Sequence, residues 1–365
     1  MNDTTCTDLV ARAILPLPRF CAELPVCGGA YKTEPDDFQV EEVPAYLPAD
    51  EGEHLFLWVE KRGLATPQLT RELSHALDVT THEIGTAGLK DADAVTRQFV
   101  SVPGRCRDKI AGLAIPNVKI LSSALHRNKL RTGHLHGNRF RIRLRAVANP
   151  SAAPALIEKI QQQGLVNFYG PQRFGHGGQT VRMGLELFAR SQAPAHHHPS
   201  RTMRRLALSA VQSALFNEYL KIRLAQGLLQ TALAGDVFLV RRSGGPFTSE
   251  DLPREQARIQ AREIVPSGPM FGPKMRQPLA DAAALEAQIL KDVGMEPQDF
   301  AGFGQIMEGT RRPVLIYAED LKAEVDGDTV TVECVLPSGS YATVLLHELG
   351  AHPATEQRES VPEND

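Results

Sequence analysis

Residues 136–145 read "HGNRFRIRLR", in which Arg139, Arg141, Arg143 and Arg145 alternate with Phe140, Ile142 and Leu144. A period of two belongs to a β-strand, whose successive side chains leave opposite faces. The spacing predicts a strand with arginines on one face and an apolar row on the other. No Asp or Glu occurs between Ile110 and Leu156. The four arginines, with Arg127, Lys129 and Arg131 just upstream, therefore read as a basic stripe suited to a phosphate backbone.

Working outward, "AYKTEPDDFQVEE" (30–42) and "EHLFLWVEKRG" (53–63) have strand patterning, and so does "TRQFVSVPG" (96–104). Between the last two, "TPQLTRELSHAL" (66–77) predicts a helix with Thr66 as N-cap and Pro67 at its first position. Leu69, Leu73 and Leu77 recur every four residues and share one face of it. The stretch "AGLKDADAVTRQF" (87–99) then places Asp91 in a loop between this helix and the next strand. Loops on a rigid scaffold are where catalytic groups concentrate.

With 365 residues, two domains are expected. Apolar residues make up 42% and charged residues 23%, which excludes a disordered chain, and a net charge of −3 gives no global sign of nucleic-acid binding. Cys6, Cys21, Cys27, Cys106 and Cys334 are scattered and include no Cys-x-x-Cys, so neither a zinc site nor a disulfide framework is expected. No apolar run approaches the roughly 18–20 residues of a membrane helix. The N-terminal segment carries acids where a secretory signal carries bases. A cytoplasmic protein is the expectation.

Beyond residue 180 the pattern turns helical, with helices expected over 201–229 and about 279–293 around a loop-rich middle. Strand patterning returns over 313–349, where "DGD" (326–328) signals a hairpin. A strand-rich ending that matches a strand-rich beginning suggests that the middle is an insertion. There is no internal repeat.

Asp91 and Asp93 could form a metal-binding Asp-x-Asp, but nothing nearby supplies further carboxylates or a phosphate-cradling loop. The favoured reading is an ionised carboxylate acting directly, with Lys90 and Arg97 close in sequence. His196, His197 and His198 are consecutive and point in different directions, which is awkward for chelation; a solvated loop is expected there. In "NFYGPQRFG" (167–175), Phe168 and Phe174 are either core residues of a buried turn or a platform for unstacked bases, with Arg173 on phosphate or base.

Seven segments in consistent order resemble signatures of the TruD family of tRNA pseudouridine synthases. They are "KTEPDDFQVEE", "AGLKDADAVTRQF", "NKLRTGHLHGNRFRI", "NFYGPQRFGHGG", "LSAVQSALFN", "SGPMFGPKM" and "LPSGSYATVLLHEL". The resemblance implies an α+β fold: a pseudouridine synthase catalytic core, an antiparallel sheet with flanking helices, over 25–163 and 317–350. An inserted α/β TRUD domain at 164–316 interrupts it, with an RNA cleft between the two bodies. Residues 1–24 would be a loosely ordered N-terminus and 351–365 a disordered tail.

The same resemblance makes Asp91 the catalytic aspartate of a Gly-x-Lys-Asp motif, supported by Lys90, and makes Lys32 an active-site lysine. Phe140 would be an aromatic lining the site, and Asn167, Gln172 and Arg173 would lie at the junction with the insertion. The implied substrate is the uridine at position thirteen in the D arm of tRNA. The implied enzyme uses no cofactor and no metal, and a monomer without an obligatory protein partner is expected. Two residues depart from the family pattern. Ala92, followed by Asp93, stands where a basic residue is common, and Phe168-Tyr169 reverses the usual Tyr-Phe order. Both bear on RNA affinity more than on reaction type. A rival of the same fold, an RNA-binding protein that folds tRNA without modifying it, would make Asp91 dispensable.

Overall fold

The computed structural model describes residues 3–190 and 200–354. The chain divides into two compact units, Glu23–Gln163 with the segment from Tyr317 on, and Met1–Ala22 with Gly164–Ile316. Helix α1 (Asp3–Ile14) comes first, followed by strands β1 (Ala30–Tyr31), β2 (Phe38–Pro44) and β3 (His54–Arg62). Helix α2 (Thr66–Leu77) leads to β4 (Gly85–Thr86), β5 (Val95–Pro103), β6 (Val118–His126), β7 (Leu135–Leu144) and α3 (Ala153–Gln163). The other unit holds, besides α1, β8 (Leu165–Val166), α4 (Gln179–Arg190), α5 (Arg201–Ala225), β9 (Val237–Val240) and β10 (Pro246–Thr248). It continues with α6 (Leu252–Gln260), β11 (Ile264–Met270), α7 (Ala280–Asp292), β12 (Thr310–Pro313) and β13 (Leu315–Ile316). The chain returns through β14 (Glu319–Asp326), β15 (Thr329–Pro337), α8 (Ala342–Glu348) and β16 (His352–Pro353).

The main sheet runs β14-β15-β7-β2-β5-β3-β6, with β4 added beside β5. All pairings along it are antiparallel except β2 with β5, which is parallel. Its register decides which residues share a face. Cys334, Phe140, Val40, Thr96 and Lys61 lie opposite one another in turn, as one row across five strands. The neighbouring row, Arg139, Glu41, Arg97 and Glu60, lies on the other face, because each residue is one position along its strand.

Helix α2 covers the Lys61 face at one side of the sheet. Its Leu69, Leu73 and Leu77 are buried against Leu55, Leu57, Val59, Val100 and Val102, as their spacing predicts. The helix begins one residue earlier than the capping pattern suggests. Ala65 is the N-cap, and the Thr66 hydroxyl is used elsewhere, accepting from the Lys90 N–H at 2.8 Å. The hairpin at 326–328 forms, with Gly327 at φ 58°.

In the second unit the strands run β10-β9-β11-β12, all antiparallel, and α5 lies against β11. The approach is close enough to demand glycine, since a Cβ on Gly268 would come within 2.6 Å of the Tyr219 ring. Arg223 on α5 donates to Asp236 at 2.8 Å, and both side chains are fully buried.

Described residues near both ends form regular elements. Residues 3–14 form α1 in place of a loose lead-in, and this helix lies against α4 and α5. At the other end, His352–Pro353 pairs in parallel with Ala30–Tyr31 as β16; residues 355–365 lie outside the described residues. So does the His196–His198 triplet. Among the described residues no helix is long and apolar enough to cross a membrane.

Candidate active site

The segment from Ala87 to Ala94 joins β4 to β5 and is tied down at three points. The Gly133 N–H donates to the Ala87 carbonyl at 2.8 Å, the Lys90 N–H to the Thr66 hydroxyl at 2.8 Å, and Lys61 Nζ to the Asp91 carbonyl at 3.0 Å. Asp91 thus has a fixed backbone, and its side chain is 56% exposed. Asp91 Oδ2 accepts from Lys32 Nζ at 3.2 Å. Lys32 reaches it from a left-handed backbone, φ 61°, a conformation that costs a non-glycine residue roughly 1–3 kcal/mol and clusters at functional sites.

Aromatic rings continue from this pair. Lys32 Nζ sits 4.6 Å from the centre of the Phe38 ring, and Phe38 meets Phe140 edge-on at 6.1 Å. Tyr31 packs on Phe38 at 6.2 Å. Burial, and then the nearby Asp91 carboxylate, push its phenol above its ordinary pKa. Phe140 is thus connected to the Asp91–Lys32 pair through the Phe38 ring. Only 7% of the residue is exposed, so it lines the site without presenting a full stacking face.

Lys90 is at the site but not in it. Its ammonium lies in the interior, 2.8 Å from Glu42 Oε2, with both side chains almost wholly buried. Burial raises the Glu42 pKa, and Lys90 opposes that rise. Arg97 is also directed away from Asp91, toward Glu60 at 2.8 Å and Glu41 at 3.3 Å on the opposite face of the sheet.

The basic stripe differs most from the sequence expectation. Phe140, Ile142 and Leu144 are buried as predicted, while Arg139 and Arg141 are exposed. However, the arginine face is the reverse of the face that holds Lys61 and Phe140. It is also not free of acids. Arg141 pairs with Glu333 at 2.6 Å, Arg139 with Asp320 at 3.4 Å, and Arg145 with Asp37 and Glu34 at 2.8 and 3.0 Å. Sheet pairing supplies these carboxylates from residues far away in sequence, so a local count of acids could not reveal them. Arg127 pairs with Glu51, and Lys129 donates to the His82 carbonyl. Arg143 and Arg131 have no carboxylate partner among the described residues, and Arg131 is exposed in the loop whose Gly133 is bound to Ala87.

Asn167, Gln172 and Arg173 belong to the other unit. The Asn167 amide donates to the Pro313 carbonyl at 2.9 Å and accepts from Arg312 at 2.6 Å. Arg173 donates to Ser213 and Ser209 at 3.1 and 2.8 Å, whereas Gln172 is exposed. Phe168, Tyr169 and Phe174 are buried, which makes this turn a piece of core and not a base-stacking platform. Asp93 is exposed, and among the described residues no three His, Cys, Asp or Glu side chains gather as metal ligands.

Two site residues escaped the sequence reading. Lys61 is fully buried and donates to the Leu64 and Asp91 carbonyls. The signal was present, because Lys61 continues the inward positions of Leu55, Leu57 and Val59 along β3. Asn138, two residues before Phe140 on the same face of β7, has a buried side-chain oxygen without a hydrogen-bond partner among the described residues.

Lys61 also offers a stability test. Burial lowers its pKa to about 8, with Lys90 lowering it further and Asp91 opposing. Between about pH 8 and the ordinary lysine value of 10.5, the unfolded chain holds a proton that the folded chain has lost, so stability rises with pH across that window. The stability of the wild type minus that of Lys61→Met should grow with pH there, by at most about 1.4 kcal/mol per pH unit. Denaturation of both proteins from pH 7 to 10 measures it, and a flat difference would refute the assignment.

A family model described as tRNA pseudouridine synthase D (TruD) matches residues 17–196 and 185–349. A protein of that name from Anaeromyxobacter dehalogenans is 44% identical over 336 residues, covering 91% of this chain and 96% of the relative. One from Thermus thermophilus is 39% identical over 347 residues, covering 94% and 95%. In fold, the chain resembles a crystal structure from Methanosarcina mazei provisionally named tRNA pseudouridine synthase D (TruD). The TM-score is 0.72 and the identity 24%, with 94% of this chain and 98% of that chain covered. With the family signature running through both units and the Asp91 loop built as described, the chain belongs to the TruD family of tRNA pseudouridine synthases.

Proposed function

We propose that this chain isomerises the uridine at position thirteen in the D arm of tRNA to pseudouridine, with Asp91 as the carboxylate that acts on it. The observation that carries this reading is the solvent-facing Asp91 carboxylate on a pinned backbone, 3.2 Å from the Lys32 ammonium and beside a wall of aromatic rings. The reaction breaks the N1–C1′ bond, turns the base and joins C5 to C1′, while the C5 proton leaves to solvent and N1 takes up a proton in exchange. Substrate and product are isomers, so no oxidant, reductant or co-reactant is consumed. Asp91 supplies the acting carboxylate. Lys32 lies where it can offset negative charge on the departing uracil.

Tritium release from tRNA transcribed with C5-tritiated uridine tests the reading. Release is expected from the wild type, at one site per tRNA. Its absence from every tRNA tried would remove the proposal.

Contact with the RNA backbone falls best to Arg131, which is exposed and unpaired near the Asp91 loop, and to its neighbour Lys129. Arg139, Arg141 and Arg143, on the reverse face, serve less well. Arg131→Ala should flatten the slope of log K against log salt by about 0.7–0.9 if it holds one phosphate, while Arg141→Ala should change the slope far less. Filter binding across a salt series compares them, and equal slopes for the two variants would reverse the assignment.

A further inference from the structure

Leu89, two residues before Asp91, is 77% exposed. Isolated exposed leucines are ordinary, and Leu47, at 71%, is one. What sets Leu89 apart is the anchoring on both sides of it. Ala87 is buried, with its carbonyl bound to the Gly133 N–H. Lys90 is buried too, its N–H on Thr66 and its ammonium on Glu42. The chain thus holds an apolar side chain in solvent on a backbone that cannot easily withdraw it. Two residues span at most about 7 Å, so Leu89 and the Asp91 carboxylate are neighbours on one short rigid arch.

We propose that Leu89 is a wedge that enters the gap left in the RNA stack when the target uridine is turned out toward Asp91. This rests on the pseudouridylation reading above. A base inside folded RNA cannot reach a carboxylate on the protein without leaving its stack, and the vacated space is lined by the apolar faces of the neighbouring bases. Left empty, that space loses contact on both sides. Leucine is among the side chains that proteins insert between bases to hold them apart. Its branched end fills such a gap without needing a hydrogen-bond partner. Leu89 would act on the flipping equilibrium and not on bond making, so its contribution should vanish when the uridine is already unstacked.

Single-turnover tritium release tests this with two RNAs, the intact tRNA and the same tRNA with an abasic nucleotide beside the target uridine. Leu89→Ala should lose about 10- to 100-fold on the intact tRNA and stay within about threefold of the wild type on the abasic one. Leu47→Ala should match the wild type on both. Comparing two substrates on one protein preparation cancels any partial misfolding. Equal losses for Leu89→Ala on both RNAs, or no loss on either, overturn the wedge while leaving the wild-type activity intact. No release by the wild type from either RNA overturns the functional reading itself.

Discussion

Asp91→Asn should bind tRNA as tightly as the wild type and modify none of it. The substitution keeps the size of the side chain and its contact with Lys32, but removes the charge and the nucleophilic oxygen. Groups acting directly in the chemistry typically contribute at least about 10²–10⁴-fold to rate, so tritium release should fall by about 10³-fold or more. Binding should hold or improve slightly, because a carboxylate facing solvent repels phosphate. Lys61 still grips the residue 91 carbonyl in the variant, so the loop should keep its shape. Near-wild-type release by Asp91→Asn would transfer the chemistry to another group.

The second large effect concerns stability. Lys90→Ala removes one partner of a buried ion pair and leaves Glu42 with the Phe99 N–H, at 3.3 Å, as its remaining donor. Breaking such a pair typically costs about 3–5 kcal/mol, whereas replacing both partners with apolar groups is often neutral. Lys90→Ala should therefore be strongly destabilised, and Lys90→Met with Glu42→Leu should recover most of the loss. The deficit should also depend on pH. Burial already raises the Glu42 pKa, and losing Lys90 raises it further. The folded variant then holds a proton that the unfolded chain releases, and its stability falls as pH rises above the ordinary carboxylate range. Urea denaturation at pH 5 and pH 8 reads both effects. A deficit that the double substitution does not relieve would show that Lys90 acts through something other than Glu42.

Much of the local structure was legible in the sequence. Leu69, Leu73 and Leu77 marked the buried face of α2, and alternation from Arg139 to Leu144 marked β7, because both depend on periods of a few residues. Asp91 was legible as an exposed carboxylate in a loop, because a helix and a strand bracket it within thirty residues of chain. The Asp91–Lys32 contact came with the family resemblance, since the two residues lie 59 positions apart.

Local patterning was enough to say which side chains share a face of each strand and helix, and which loop carries the candidate carboxylate. Which face meets which was set by folding. It set the arginines of β7 behind the sheet from Lys61 and Phe140, and brought Asp320 and Glu333 from over 180 residues away to neutralise two of them. It also turned Lys90 inward to Glu42 and placed the neglected Lys61 under Asp91. One cause underlies all of these. Periodicity is written into consecutive backbone dihedrals, whereas strand order and register follow from burying many apolar surfaces together, and no single segment encodes that sum.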